Sequence, residues 1–188
     1  MSRFARYKNG FGYRFNNMSH NRQMKLLDKM NGDTIIRHYL KTDISKDYFK
    51  GNSGIILVPN FISKIILKKE KSIIACMGEL YYKKYKSFAI FIDQDYIYDN
   101  NLSYEPILYH ELWHVNVRHN QYIYNSNLEE ECDCDNFAAV MCGYEKTLDN
   151  LNKLYKICRT LRAKIEVQER IEFIENKYIE YEIKNTIF

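Results

Sequence analysis

Proline and glycine are scarce in this chain, 2 and 7 in 188 residues. That excludes collagen-like repeats, proline-rich linkers and a loop-dominated scaffold, and it points to much helix. Long apolar runs are also missing. No stretch approaches the roughly 18 uninterrupted apolar residues of a spanning helix, and the opening Met-Ser-Arg-Phe-Ala-Arg is charged where a secretory signal needs an apolar segment. The five cysteines are an odd number without the spacing of a disulfide framework. Reduced thiols, cytoplasmic residence and no membrane association are therefore expected. With 46% hydrophobic residues, the length suits one compact domain able to bury a core.

Charge is unevenly placed. Residues 1–30 carry seven Lys or Arg and one Asp, leaving 21 Lys or Arg against 23 Asp or Glu in residues 31–188. The net charge of +4 is thus the property of an N-terminal arm. In residues 3–15, Asn9-Gly10 is a hairpin-turn pair and Phe11, Tyr13 and Phe15 alternate with polar residues. Basic residues interleaved with aromatics can bind single-stranded nucleic acid; the favoured reading is a solvated arm whose aromatics pack on the domain. Ser19 can cap a short helix carrying Met24, Leu27 and Met30. The expected organisation is an arm and short helix over 1–33, a core over 34–145 and a helical region over 146–188 packed on that core.

Within the core, Ile55-Ile56-Leu57-Val58, Ser72 to Cys76 and Phe88-Ala89-Ile90-Phe91-Ile92 read as strands, with a helix over Asn60 to Lys69. The lysines between 64 and 86 read as a solvated surface. A second half of helices follows. Ser103 can cap a helix whose first turn tolerates Pro106, and this helix carries His110-Glu111-Leu112-Trp113-His114. The two histidines lie about 40° apart on the wheel, while Leu108, Leu112 and Val115 cluster on another face. Two imidazoles one turn apart are a metal-ligand pair, and Glu111, about 100° round, is placed to work on a water rather than to bind the ion.

A second helix is expected from Ser126 or Asn127. Its first turn holds Glu129, Glu130 and Glu131, and the dipole at a helix start accounts for Glu129 and Glu130. Glu131 and Asp135 share a face with Leu128, Cys132, Ala138, Ala139 and Cys142, while Glu130 and Asp133 point the other way. Burying two carboxylates there is costly without partners. An ion and its histidines would supply them, with Glu131 as third ligand and Asp135 accepting the free N–H of His110 or His114. The alternatives are carboxylates that meet a buried Lys or Arg, or a helix less buried than its pattern suggests. Cys132 and Cys134 project about 200° apart on a helix and cannot share one ion. Further on, Leu148, Leu151, Leu154, Tyr155, Cys158 and Leu161 form one stripe and Ile171, Ile174, Tyr178 and Ile179 another, with Glu166–Arg170 and Glu180–Lys184 as (i, i+4) pairs.

The two segments His110-Glu-x-x-His114 and Glu131-x-x-Cys134-Asp135-x-Phe137-Ala138-Ala139, over about residues 85 to 143, resemble the small gluzincins and most closely the ImmA/IrrE-type metallopeptidases. The resemblance implies an α+β zincin-like fold, in which a small twisted sheet lies with its edge strand beside the active helix. It also implies one zinc ion held by His110, His114 and Glu131, with Glu111 as general base. The expected activity is that of a metalloendopeptidase acting on an intracellular protein or peptide, in a phage or mobile-element setting. Tyr109 and Trp113 stand where the family usually has Ala and Gly, and Cys134 where Ala is common; the two aromatics are expected to narrow the cleft. Tyr109, His119, Tyr122 and Tyr124 are candidate contacts for substrate or transition state, and Phe88 to Ile92 is the nominated edge strand for an extended substrate. Two other readings stand beside this one. One is a zincin-fold binding or regulatory module without proteolysis; the other is a nucleic-acid-associated protein using residues 1–15.

Overall fold

The apolar run that ends at Pro59 forms strand β1 (Ile55–Leu57), in a computed structural model that describes residues 55–58, 60, 63, 64, 67, 74–82 and 85–186. The basic arm, the Ser19 helix and most of the chain up to residue 73 lie outside the described residues. Strands β2 (Ala75–Tyr82) and β3 (Tyr85–Ile92) follow, and the described residues 60, 63, 64 and 67 are helical. The second strand starts three residues later than the hydropathy suggests and runs on through Gly78, whose missing Cβ leaves room for the Phe91 ring.

The sheet order is β1-β3-β2. β1 pairs parallel with β3, with Ile55 opposite Phe88 and Leu57 opposite Ile90, and the Val58 amide continues the ladder by donating to the Ile90 carbonyl at 2.9 Å. Only two residues separate β2 from β3, a connection that antiparallel neighbours alone permit. This corrects the nominated edge: β3 is the middle strand, and its backbone is engaged on both sides. A continuous apolar run marks a strand buried on both faces, and Phe88 to Ile92 are all buried. Among the described residues the edges are β1 and β2.

The described chain falls into two compact units. One contains β1, β3 and most of β2; the other comprises residues 74–77 and everything from Asp93 onward. The second unit is helical and holds every residue of the candidate site. It begins with α1 (Gln94–Asp99), capped by the Asp93 carboxylate, which accepts from the Tyr96 amide. Then come α2 (Tyr104–Asn120), α3 (Asn127–Cys142), α4 (Tyr144–Ile157) and α5 (Leu161–Thr186). The fold is α+β and mostly helical. Among the described residues no helix is long and apolar enough to cross a membrane.

Helix ends follow their chemistry. Ser103 precedes α2, but its own amide donates to the Asn150 side chain at 2.7 Å, tying the start of α2 to α4. Ser126 caps α3 by accepting from the Glu129 amide. Gly143, at φ 99°, makes the sharp joint between α3 and α4 that an L side chain would resist. One core cluster, Ala139, Leu151, Val167, Ile171 and Ile174, joins α3, α4 and α5, with Leu148, Leu154, Tyr155 and Cys158 packed against it. Two stripe members leave the pattern: Leu161 and Ile179 are exposed. The expected ion pairs also change partners. Glu166 meets Arg162 and Glu180 meets Lys177, which frees Arg170 to turn inward.

Candidate metal centre

Helix α2 is buried on more than one face. Leu112, Val115 and Val117 are buried, and so are His110 and Glu111. The apolar stripe and the histidine face are therefore both covered, the latter by α3. There the His110 Nε2 and His114 Nε2 atoms stand 3.1 Å apart. The Glu131 carboxylate faces both, with Oε2 at 3.2 Å from His110 Nε2 and Oε1 at 3.2 Å from His114 Nε2. The far side of each ring is held by another carboxylate. His110 Nδ1 lies 2.8 Å from Asp135 Oδ1, and His114 Nδ1 lies 2.8 Å from Glu130 Oε1.

Those outer carboxylates place a hydrogen on each Nδ1 and so turn a lone pair of each Nε2 toward Glu131. Two nitrogen lone pairs and two carboxylate oxygens converging within about a hydrogen-bond length repel one another unless a positive charge lies among them. A cation satisfies that demand, and without one a proton must. Burial would lower the His110 pKa, but the Asp135 charge, its hydrogen bond and that of Glu131 outweigh burial and raise it to about 10. Glu131, despite partial burial, is held well below the usual carboxylate range by its hydrogen bonds to both histidines and by Arg170. Charge agrees: Glu111, Glu130, Glu131 and Asp135 face the guanidinium groups of Arg118 and Arg170, which with neutral histidines leaves two negative charges for a divalent ion.

His110, His114 and Cys134 also form a cluster that could hold a metal ion, their ligand atoms lying within 4.8 Å of one another. The separation of Cys132 and Cys134 around the helix excludes only an ion shared by those two cysteines. Cys134 faces α2 instead. Between Cys134 and Glu131 the chemistry favours the glutamate. Its oxygens are at 3.2 Å from the ring nitrogens and already ionised, whereas burial and the neighbouring carboxylates push the Cys134 thiol far up, and only a thiolate binds a metal well. Glu131 is also the opening of the site: its side chain is 36% exposed, against 11% and 14% for His110 and His114.

Glu111 is buried, and among the described residues no hydrogen bond or ion pair fixes its carboxylate. Burial raises its pKa, with Glu131 adding to the effect and the two histidines opposing it. Asp135 goes the other way: burial is outweighed by Arg170 and His110, which lower it. Two carboxylates in one site pushed in opposite directions are what separates a proton carrier from a fixed charge.

Three residues outrun the sequence reading. Glu130 does not point away: it is buried, orients His114 and is itself held by Arg118 at 3.0 and 3.2 Å. Arg118, one turn beyond His114 on α2, was the available clue to a carboxylate there. Arg170 and Cys134 carried no clue on their own helices. Replacing Glu130 with Ala should lower affinity for a divalent ion by about 10–100-fold with the fold intact, as read by competition against a chromophoric chelator; unchanged affinity would remove Glu130 from the site.

The candidate contacts fare differently. Trp113 stacks on Phe137 of α3 with ring centroids 4.8 Å apart, and Tyr109 meets the same ring edge-on. These aromatics join α2 to α3. The Tyr124 hydroxyl accepts from Trp113 Nε1 at 3.3 Å, Tyr122 is exposed, and His119 stands about 180° round α2 from His110, so it cannot join the donor set. No family model, no curated protein and no solved structure matches this chain.

Proposed function

We propose that this chain is a zinc-dependent metalloendopeptidase of the gluzincin type, similar to the ImmA/IrrE peptidases and acting on a protein or peptide. One observation carries the reading: the two Nε2 atoms and both Glu131 oxygens face one another at 3.1–3.2 Å while carboxylates pin the opposite edges of both rings. His110, His114 and Glu131 would hold the ion. When bound, zinc supplies Lewis acidity that polarises a carbonyl and makes water nucleophilic near neutral pH. The protein supplies the proton traffic. Glu111, beside the histidines and with its pKa raised by burial, takes a proton from the attacking water and returns it to the leaving amine. Asp135 and Glu130 hold the two imidazoles in one tautomer throughout.

The experiment is metal loading followed through both affinity and cleavage. Chelated protein should lose hydrolysis of a peptide library and regain it with one equivalent of zinc. The pH dependence has a fixed sign. The metal-free His110 is protonated below about pH 10, and an ion must displace that proton, so apparent affinity should rise with pH by about tenfold per unit from about pH 6 to about pH 8. Calorimetry in two buffers of different ionisation enthalpy should read about one proton released per ion. A chain that takes up no zinc, or takes it up without hydrolysing any peptide, would overturn the reading.

A further inference from the structure

Arg170 belongs to α5, outside both helices of the metal motif, yet its guanidinium reaches two carboxylates of α3, Asp135 and Glu131. Nε lies 2.6 Å from Asp135 Oδ2 and Nη2 lies 2.9 Å from Asp135 Oδ1, a two-pronged contact. The third nitrogen, Nη1, lies 3.1 Å from Glu131 Oε2. Asp135 Oδ1 is the same oxygen that holds His110 Nδ1, and Glu131 Oε2 is the one that faces His110 Nε2. One guanidinium thus fixes the oxygens on both sides of a single imidazole. The contact is well supported, since Arg170 shares its helix face with Val167 and Ile174, both buried in the cluster joining α3, α4 and α5.

We propose that Arg170 is the internal counter-ion that positions Asp135 and Glu131, so that the donor set stays assembled whether or not an ion is bound. The inference rests on the metallopeptidase reading above. The physical reason is the cost of the alternative. The buried Asp135 and the partly exposed Glu131 repel one another beside two imidazoles, and a site with no fixed cation of its own leans on the metal to hold together, as small zinc domains do. Arg170 removes that dependence for the half of the site around His110. Arg118 does the same at Glu130 with a side chain 46% exposed, where solvent screens the contact. Lysine could not substitute fully: it offers a point charge where Asp135 and Glu131 are met by three nitrogens of one plane. The consequence is a preformed site that loads and releases its ion without unfolding, which leaves metal supply free to set activity.

The test compares Arg170→Met and Arg170→Lys with the wild type, each prepared with zinc and then stripped by a chelator, with thermal melting and zinc stoichiometry as readouts. Stripped wild type should still melt cooperatively. Loaded Arg170→Met should melt near the loaded wild type; once stripped it should melt about 10 °C or more below stripped wild type and recover when zinc is returned. Arg170→Lys should fall between the two. An equal loss in the loaded and stripped states, or an Arg170→Met chain that does not fold even with zinc, would give Arg170 a packing role only and overturn the proposal. Wild type that takes up no zinc would instead sink the metallopeptidase reading itself.

Discussion

Glu111→Gln should leave zinc bound at wild-type stoichiometry while hydrolysis falls by about 100-fold or more. Positioned proton transfer contributes about 10²–10⁴-fold to such reactions, and glutamine keeps the size and shape of the side chain while removing its ability to carry a proton. Glu111 is the residue best separated from metal binding: it lies on α2 between the two histidines, buried, with its pKa raised by that burial. Its stability signature has a definite sign as well. A carboxyl whose folded pKa is raised above its unfolded value costs stability once pH passes the unfolded pKa, and the cost grows as pH rises toward the folded one. At neutral pH the glutamine variant should therefore melt no lower than its parent. A lost activity accompanied by a lower melting point and lost zinc would mean that Glu111 holds the site together rather than working in it. Full activity in the variant would remove it as the base.

How much of this centre is legible along the chain depends on where each partner comes from. The α2 and α3 boundaries, the shared face of His110 and His114, and the pairing of Glu131 and Asp135 all follow from helical spacing, because each is a relation within one helix. Asp135 could be assigned to a histidine but not to His110 in particular, since that choice depends on how α2 crosses α3. The wheel misplaces Glu130 for the same reason: its angle is measured about the α3 axis, while the donor it meets, His114 Nδ1, sits at the far end of the motif on a different axis. Spacing by (i, i+4) pairs Arg170 with Glu166, but Arg162 takes that glutamate from the other side, and only the docking of α5 on α3 shows that Arg170 reaches Asp135. β3 illustrates the complementary limit. Its apolar run announces burial on two faces, but hydropathy says nothing about how many backbone edges are paired, and the strand nominated as an edge is the central one.

Glu131→Ala and Cys134→Ala together decide the third donor, and the effects should be far from equal. Removing Glu131 takes away the two oxygens that stand 3.2 Å from the ring nitrogens, and affinity for zinc should fall by well over the roughly 100-fold that loss of a supporting partner costs. Removing Cys134 should leave affinity unchanged: its sulfur sits within 4.8 Å of the histidine ligand atoms, but its thiol must lose a proton in a pocket already crowded with carboxylates, which push it far up. The cobalt-loaded wild type should accordingly lack the intense near-ultraviolet sulfur-to-metal band of a thiolate ligand. If that band is present and disappears in Cys134→Ala, the donor set is two histidines and a cysteine, and Glu131 becomes free to act on substrate at the exposed side of the site. The two outcomes also separate in function. A glutamate ligand leaves Glu111 as the one buried carboxylate able to move a proton, so activity in Glu131→Ala should not return even at zinc concentrations that saturate the weakened site, because the ion then rests on two imidazoles without the charge that Glu131 contributes to the centre. With cysteine as the ligand, saturating zinc would bind Glu131→Ala as it binds the parent.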